Sequence, residues 1–131
     1  MLENSRLGVA LGLAAALLAT TAKVAGAQTP AGDPAKGAQV FDARCSDCHG
    51  LQGVHQGPSL VGVVGRKAAN LSGYAYSPAL TASGLAWTLP TLDRFLASPR
   101  AVVPGTTMGG IVPDPVERRN VIAYLATLSP K

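Results

Sequence analysis

Disulfide stapling has almost nothing to work with in this chain. Its 131 residues hold two cysteines, Cys45 and Cys48, both inside one Cys-x-x-Cys segment. A bridge between them would close a tiny loop and constrain the unfolded chain little. Aromatic rings are few: Phe41, Tyr74, Tyr76, Trp87, Phe95 and Tyr124 are all there are. Charge is sparse at 14% of residues, the basic side chains are scattered, and the aromatics show no stacking pattern near them. That excludes a nucleic-acid surface. No nucleophile stands beside a base and no carboxylates are paired, so no catalytic residue is expected. No segment alternates as a strand and no repeat recurs, which argues against β and α/β architectures. Long apolar runs are limited to Leu7–Thr20, fourteen residues, short of the roughly twenty that span a bilayer.

That run follows Arg6 in a polar start and leads to Ala25-Gly26-Ala27, the layout of a secretory signal. Residues 1–27 are expected to be removed near Ala27 and the product delivered to the periplasm; retention as a signal anchor is the alternative. Cleavage would leave residues 28–131, room for one domain. It would carry nine basic and six acidic side chains, formally +3, a mild charge that bears on solubility and on encounter with acidic partners. A domain so small buries a limited share of its surface and often needs a staple or a cofactor.

Residues 28–32 read as a flexible leader, and 33–131 as the domain. Asp33 and Pro34 open a helix that runs into the cysteine motif, with Gly37, Val40, Phe41 and Cys45 along one face. Residues 50–73 hold seven glycines or prolines without a period and read as a long loop wrapped around something. Ser77-Pro78 starts a short helix that stops at Gly84. Thr88 caps another, with Leu92, Phe95 and Leu96 on one face, ending at Ser98 before Pro99. Residues 99–113 read as loop. Asp114, Pro115 and Glu117 form the strongest start signal, a capping box. Val121, Ile122, Leu125 and Leu128 follow at helical spacing, with Arg118 and Arg119 expected outside. The reading is all-α, with four to five short helices and long loops.

Cys45-Ser46-Asp47-Cys48-His49 has a direct mechanical meaning. Two thiols one helical turn apart can add to the two vinyl groups on one haem edge, and the following imidazole can reach the iron. A thioredoxin-like dithiol would need a βαβ setting, which is missing. Zinc needs four ligands, only His49 and His55 could join the thiolates, and the spacing is wrong. For the sixth iron position, histidine and methionine are the usual donors of electron carriers. Met108 is the one methionine beyond the signal. It sits in a Pro-Gly loop with polar and glycine neighbours, whereas a methionine that fills a core stands among apolar ones. His55 is too near His49 in the chain to reach the opposite haem face easily.

Over residues 33–128 the chain resembles class I cytochrome c, the mitochondrial type and its bacterial periplasmic relatives. The resemblance rests on Gly57-Pro58-Ser59-Leu60, Gly62 to Lys67, Gly73-Tyr74-Ala75-Tyr76-Ser77-Pro78, Trp87, Pro104 to Met108 and Ala123-Tyr124-Leu125, in that order. It implies one haem c per chain, covalent through Cys45 and Cys48, with iron held by His49 and Met108. It implies that the Pro58 carbonyl accepts from His49, and that Arg66, Tyr76 and Trp87 hold an inner propionate. Thr106 falls among the haem-binding residues by the same likeness. Gly37, Phe41 and Tyr124 match the family's contact between first and last helices. Departures stand out: Phe95 replaces a frequent tyrosine near the methionine, Gly109-Gly110 stands where a phenylalanine often covers the haem, and Thr107 replaces a lysine. His55 lies one position from a family histidine that pins its loop, which implies a loop-bonding or surface role.

The implied function is a single-electron carrier and not an enzyme, since two strong axial ligands leave no open position at iron. Its partners would be redox proteins: a donor dehydrogenase or membrane cytochrome complex, and an acceptor oxidase or reductase. It would be monomeric when free and, once cleaved, not inserted in a membrane. A dedicated cytochrome subunit of a periplasmic dehydrogenase is the alternative.

Overall fold

Every helix among the described residues begins with proline in its first turn. Proline's missing N–H costs nothing there, and its fixed φ already suits a helix. The computed structural model describes residues 29–51 and 55–130. The expected signal segment lies outside the described residues. Within them the chain forms α1 (Pro34–Arg44), α2 (Pro78–Ala82), α3 (Leu89–Ala97), α4 (Pro99–Val102) and α5 (Pro115–Thr127), joined by long loops. No strand occurs among the described residues, only one antiparallel bridge, Lys67 to Ala86.

Four helices carry side-chain caps where the sequence placed them. The Asp33 carboxylate accepts from the Ala35 N–H at 2.9 Å, Ser77 caps Leu80, Thr88 caps Thr91, and Asp114 accepts from Glu117 at 2.7 Å. Each such cap is worth about 1 kcal/mol. The capping box at Asp114 is only half built. Glu117 Oε2 instead lies 2.9 Å from Arg44 Nη2, an ion pair not aligned as a hydrogen bond. The exception among caps is α4, which has none. It lies inside the stretch 99–113 expected to be loop. Ser98 ends α3 and starts α4 at once, so four residues turn again on the strength of Pro99 alone.

The first and last helices pack together through Gly37. A Cβ there would run into the Asn120 backbone and come within 2.8 Å of Tyr124 Cβ. The two backbones thus approach closely, and the Phe41 and Tyr124 rings meet 5.4 Å apart. Asn120 fastens the crossing by accepting from the Asp33 N–H at 2.9 Å. Gly32, the last residue of the expected leader, packs on the α5 backbone at Arg119. Val121, Ile122 and Leu125 of α5 and Leu92, Phe95 and Leu96 of α3 are all buried in the core. Each fully buried side chain of this size contributes about 1.5–3 kcal/mol.

Arg118 departs from the expectation. It was placed outside by helical spacing, yet its side chain is only 13% exposed and pairs with Asp93. Its partners come from α3 and from the loop before α5, which no local pattern reveals.

Candidate functional site

The helices and loops close around a cavity of about 290 Å³. A water needs on the order of 10–15 Å³ in this measure, so the cavity is too large for a packing defect. All nine residues singled out from the sequence line it: Cys45, Cys48, His49, Pro58, Arg66, Tyr76, Trp87, Thr106 and Met108. They come from sites spread over 64 residues of chain.

The cysteine motif continues the last turn of α1. Cys45 N–H donates to Phe41 O at 2.8 Å and His49 N–H to Cys45 O at 2.8 Å, which coils the segment so that both thiols and the imidazole reach one cavity. The thiols are free, Cys45 half-buried and Cys48 exposed. Burial pushes the Cys45 thiol above its usual pKa, against the pull of Arg44, and Cys48 adds to the rise. Cys48 Sγ lies 3.7 Å from Gln56 Oε1.

His49 Nδ1 lies 2.8 Å from the Pro58 carbonyl oxygen. A carbonyl only accepts, so Nδ1 carries the proton and Nε2 keeps the ring's lone pair. Gly57 backs the ring: a Cβ there would stand 2.5 Å from Cε1 and 2.6 Å from Nδ1. Its own N–H is fastened to Cys48 O at 2.7 Å. A glycine therefore lets the loop lie against the imidazole.

Arg66 and Trp87 are brought side by side by the paired segments around the Lys67–Ala86 bridge, where Trp87 N–H donates to Arg66 O at 2.9 Å. The Arg66 guanidinium donates to Val61 O and to Ser59 O, both at 3.0 Å. The buried Trp87 indole meets Phe95 edge-on at 4.8 Å. Tyr76 meets Tyr74 in the same way at 4.8 Å. Neither the Trp87 indole N–H nor the Tyr76 hydroxyl donates to another described residue. Thr106 is buried and its Oγ1 accepts from the Met108 N–H at 3.4 Å. His55 does not line the cavity; it packs against Gly50.

Several lining residues escaped the sequence reading. Tyr74 donates its hydroxyl to Gln56 O at 2.8 Å and walls the cavity beside Tyr76. The signal for it was present, because residues two apart in an extended segment share a face. Ile111 lies at the cavity rim, 51% exposed, one residue beyond the glycine pair. Leu80, Val121 and Leu125 complete the apolar wall.

These residues suit a large flat apolar group with an iron and carboxylate substituents. Two thiols, a histidine with a fixed tautomer and a thioether share the cavity. Arg44 and Arg66 line it, no acidic side chain among the described residues does, and Trp87 and Tyr76, whose donors are unpaired, line it too. A buried anion demands such partners.

The family model described as cytochrome c matches residues 34–129. Cytochrome c2 of Rhodopila globiformis is 45% identical over 102 residues, covering 76% of this chain and 96% of that one. Cytochrome c of Theileria annulata is 41% identical over 107 residues, 78% of this chain and 91% of that one. Among solved structures, cytochrome cH from Methylobacterium extorquens superposes with a TM-score of 0.70 at 44% identity, over 73% of this chain and 99% of that one.

Proposed function

The chain belongs to the cytochrome c family, and from that premise we propose that it is a periplasmic single-electron carrier whose iron is held by His49 and Met108. The family binds one haem c covalently, here through Cys45 and Cys48. When bound, the haem supplies an iron that changes its oxidation state by one electron.

The chain's own residues set the conditions for that change. Cys45 and Cys48 hold one edge of the ring in place by thioether bonds. His49 offers Nε2, and the Pro58 carbonyl, by accepting at Nδ1, orients the imidazole and strengthens it as a donor. Met108 offers a soft thioether, which favours the reduced iron. With His49 and Met108 both on the iron, a substrate would find no place there. Arg66 brings a fixed positive charge, and Trp87 and Tyr76 bring unpaired donors, for a buried propionate; Thr106 packs beside the Met108 loop. The apolar wall of Leu80, Phe95, Val121 and Leu125 keeps water out, which limits solvent rearrangement as the charge changes. The signal-like run before residue 28 supports export, and no described helix is long and apolar enough to cross a membrane.

The 2.8 Å contact of His49 Nδ1 with Pro58, in a cavity that also holds Met108 and both thiols, carries the reading. Acid–acetone should leave the haem on the chain, and mass spectrometry should show one haem per polypeptide. The oxidised protein should show the weak red-edge absorbance of an iron–thioether bond, and Met108→Ala should remove it. Extractable haem, or a band that survives the substitution, overturns the assignment.

A further inference from the structure

The Met108 loop is held very unevenly. Its first root, Val103, is buried and its N–H donates to Pro99 O at 2.8 Å. Just before Met108, the Thr106 N–H donates to Val103 O at 3.0 Å. Past Met108 come Gly109, Gly110 and Ile111, all exposed, and a Cβ on either glycine would meet nothing within 4 Å. The chain is caught again only at Val112, whose N–H donates to Leu96 O at 2.8 Å.

That second root is where Arg118 sits. Arg118 Nη1 donates to Val112 O at 3.0 Å and to Pro113 O at 2.7 Å, while Nε donates to Asp93 Oδ1 at 2.9 Å. One planar group thus joins three pieces: α5, which carries it; α3, whose Asp93 orients it; and the exit of the loop. Such planar charge-assisted bonding fixes direction as well as distance.

We propose that Arg118, oriented by Asp93, is a positioning residue that holds Met108 in reach of the iron by clamping the loop exit at Val112 and Pro113. The inference rests on Met108 as axial ligand. Two glycines follow Met108 and have freedom to gain on release. The clamp four to five residues downstream is therefore the nearest rigid point on that side. Losing it leaves two carbonyls without their donor and lets the exit move, so the open form of the loop becomes more populated. An added ligand that binds only the open form then binds more tightly in proportion.

The test is imidazole titration of the oxidised holoprotein, followed by loss of the red-edge band. Arg118→Ala should tighten apparent imidazole binding about tenfold. Asp93→Asn keeps an acceptor but removes the orienting charge, and should tighten it about threefold. It also decides the matter should Arg118→Ala fail to hold its fold. Phe41→Leu, at the α1–α5 crossing, lowers global stability away from the loop and serves as the comparator. Tightening by the clamp variants beyond that of Phe41→Leu supports the proposal. Tightening no greater than the comparator's, or none, overturns the clamp alone. Absence of the band in the unsubstituted protein would remove Met108 as ligand and this inference with it.

Discussion

Gly57→Ala puts one methyl group where the imidazole of His49 already lies. The new Cβ would stand 2.5, 2.6 and 3.1 Å from Cε1, Nδ1 and Nε2, against roughly 3.5–4.0 Å for comfortable carbon contacts. The Gly57 backbone cannot simply withdraw, because its N–H is bound to Cys48 O at 2.7 Å. The ring must then recede by about 1 Å, which spoils the 2.8 Å contact with Pro58. Overpacking costs about 1–3 kcal/mol and the lost hydrogen bond about 1 kcal/mol. The sum is a large share of a typical 5–15 kcal/mol stability. A histidine without that acceptor is a weaker donor and stabilises ferric iron less, so the midpoint potential should rise. If half of about 1 kcal/mol separates the two oxidation states, the rise is about 20 mV. Guanidinium unfolding and a redox titration of the holoprotein measure both effects. Gly109→Ala, whose Cβ meets nothing, is the control. Unfolding within about 0.5 kcal/mol of the parent, the scale of an ordinary surface change, together with an unchanged potential, would refute the wedge against His49.

Gly37→Ala drives a Cβ into the Asn120 backbone; even after the better helix propensity of alanine it should cost about 2–4 kcal/mol in denaturant unfolding. Among the described residues Ala69 is the one non-glycine with positive φ, at 55°, so Ala69→Gly should stabilise by about 0.5–1 kcal/mol, the relief of left-handed strain less the entropy glycine adds to the unfolded chain; a lowered melting temperature would contradict this. Gly110→Phe, entering open space beside Ile111, should raise the midpoint potential by excluding water and slow displacement of Met108 by imidazole. The cavity rim at Thr107, Gly109, Gly110 and Ile111 carries no charge, so electron transfer to partners should fall little as salt rises to physiological levels; a steep fall would show that charge pairing drives docking.

The helix starts were legible because their causes are local. A capping carboxylate or hydroxyl and a first-turn proline act within four residues, and Asp33, Ser77, Thr88 and Asp114 all do so. The α4 turn was not legible, because it has no side-chain cap and borrows the residue that ends α3. The nine candidate residues that line the cavity could be named from the chain, but only the attachment motif and Met108 by their own chemistry. Arg66, Tyr76 and Trp87 came from likeness, since an arginine in a loop and a lone tryptophan have blander ordinary roles. Arg118 was misread for a definite reason. Helical spacing reports which face meets the core, and the acceptors of Arg118 belong to residues 93, 112 and 113, off its own helix. Glu117 was misread similarly: its carboxylate pairs with Arg44, 73 residues earlier, in place of its own helix start.

The two sides of the cavity differ in how they are built, and that difference bears on electron transfer. The His49 side is knitted by backbone bonds from His49 to Cys45, from Gly57 to Cys48, and from Gly62 to Leu128 at the end of α5. The Arg66 guanidinium adds two more to Ser59 and Val61. Moving His49 therefore means breaking several of these together. The Met108 side hangs between Val103 and Val112, with one backbone bond and one threonine hydroxyl in between. Segments with few backbone bonds and high exposure open at the lowest free energy. With Met108 on the iron, as proposed, the iron–sulfur bond would itself be a main tether of that loop, and a thioether binds reduced iron more firmly than oxidised iron. Oxidation would then weaken the tether on the side that has least else to hold it. On the proposed carrier role, fidelity would then depend on the anchors at Thr106 and Val112, because a loop released in the oxidised state would leave the iron open to other ligands.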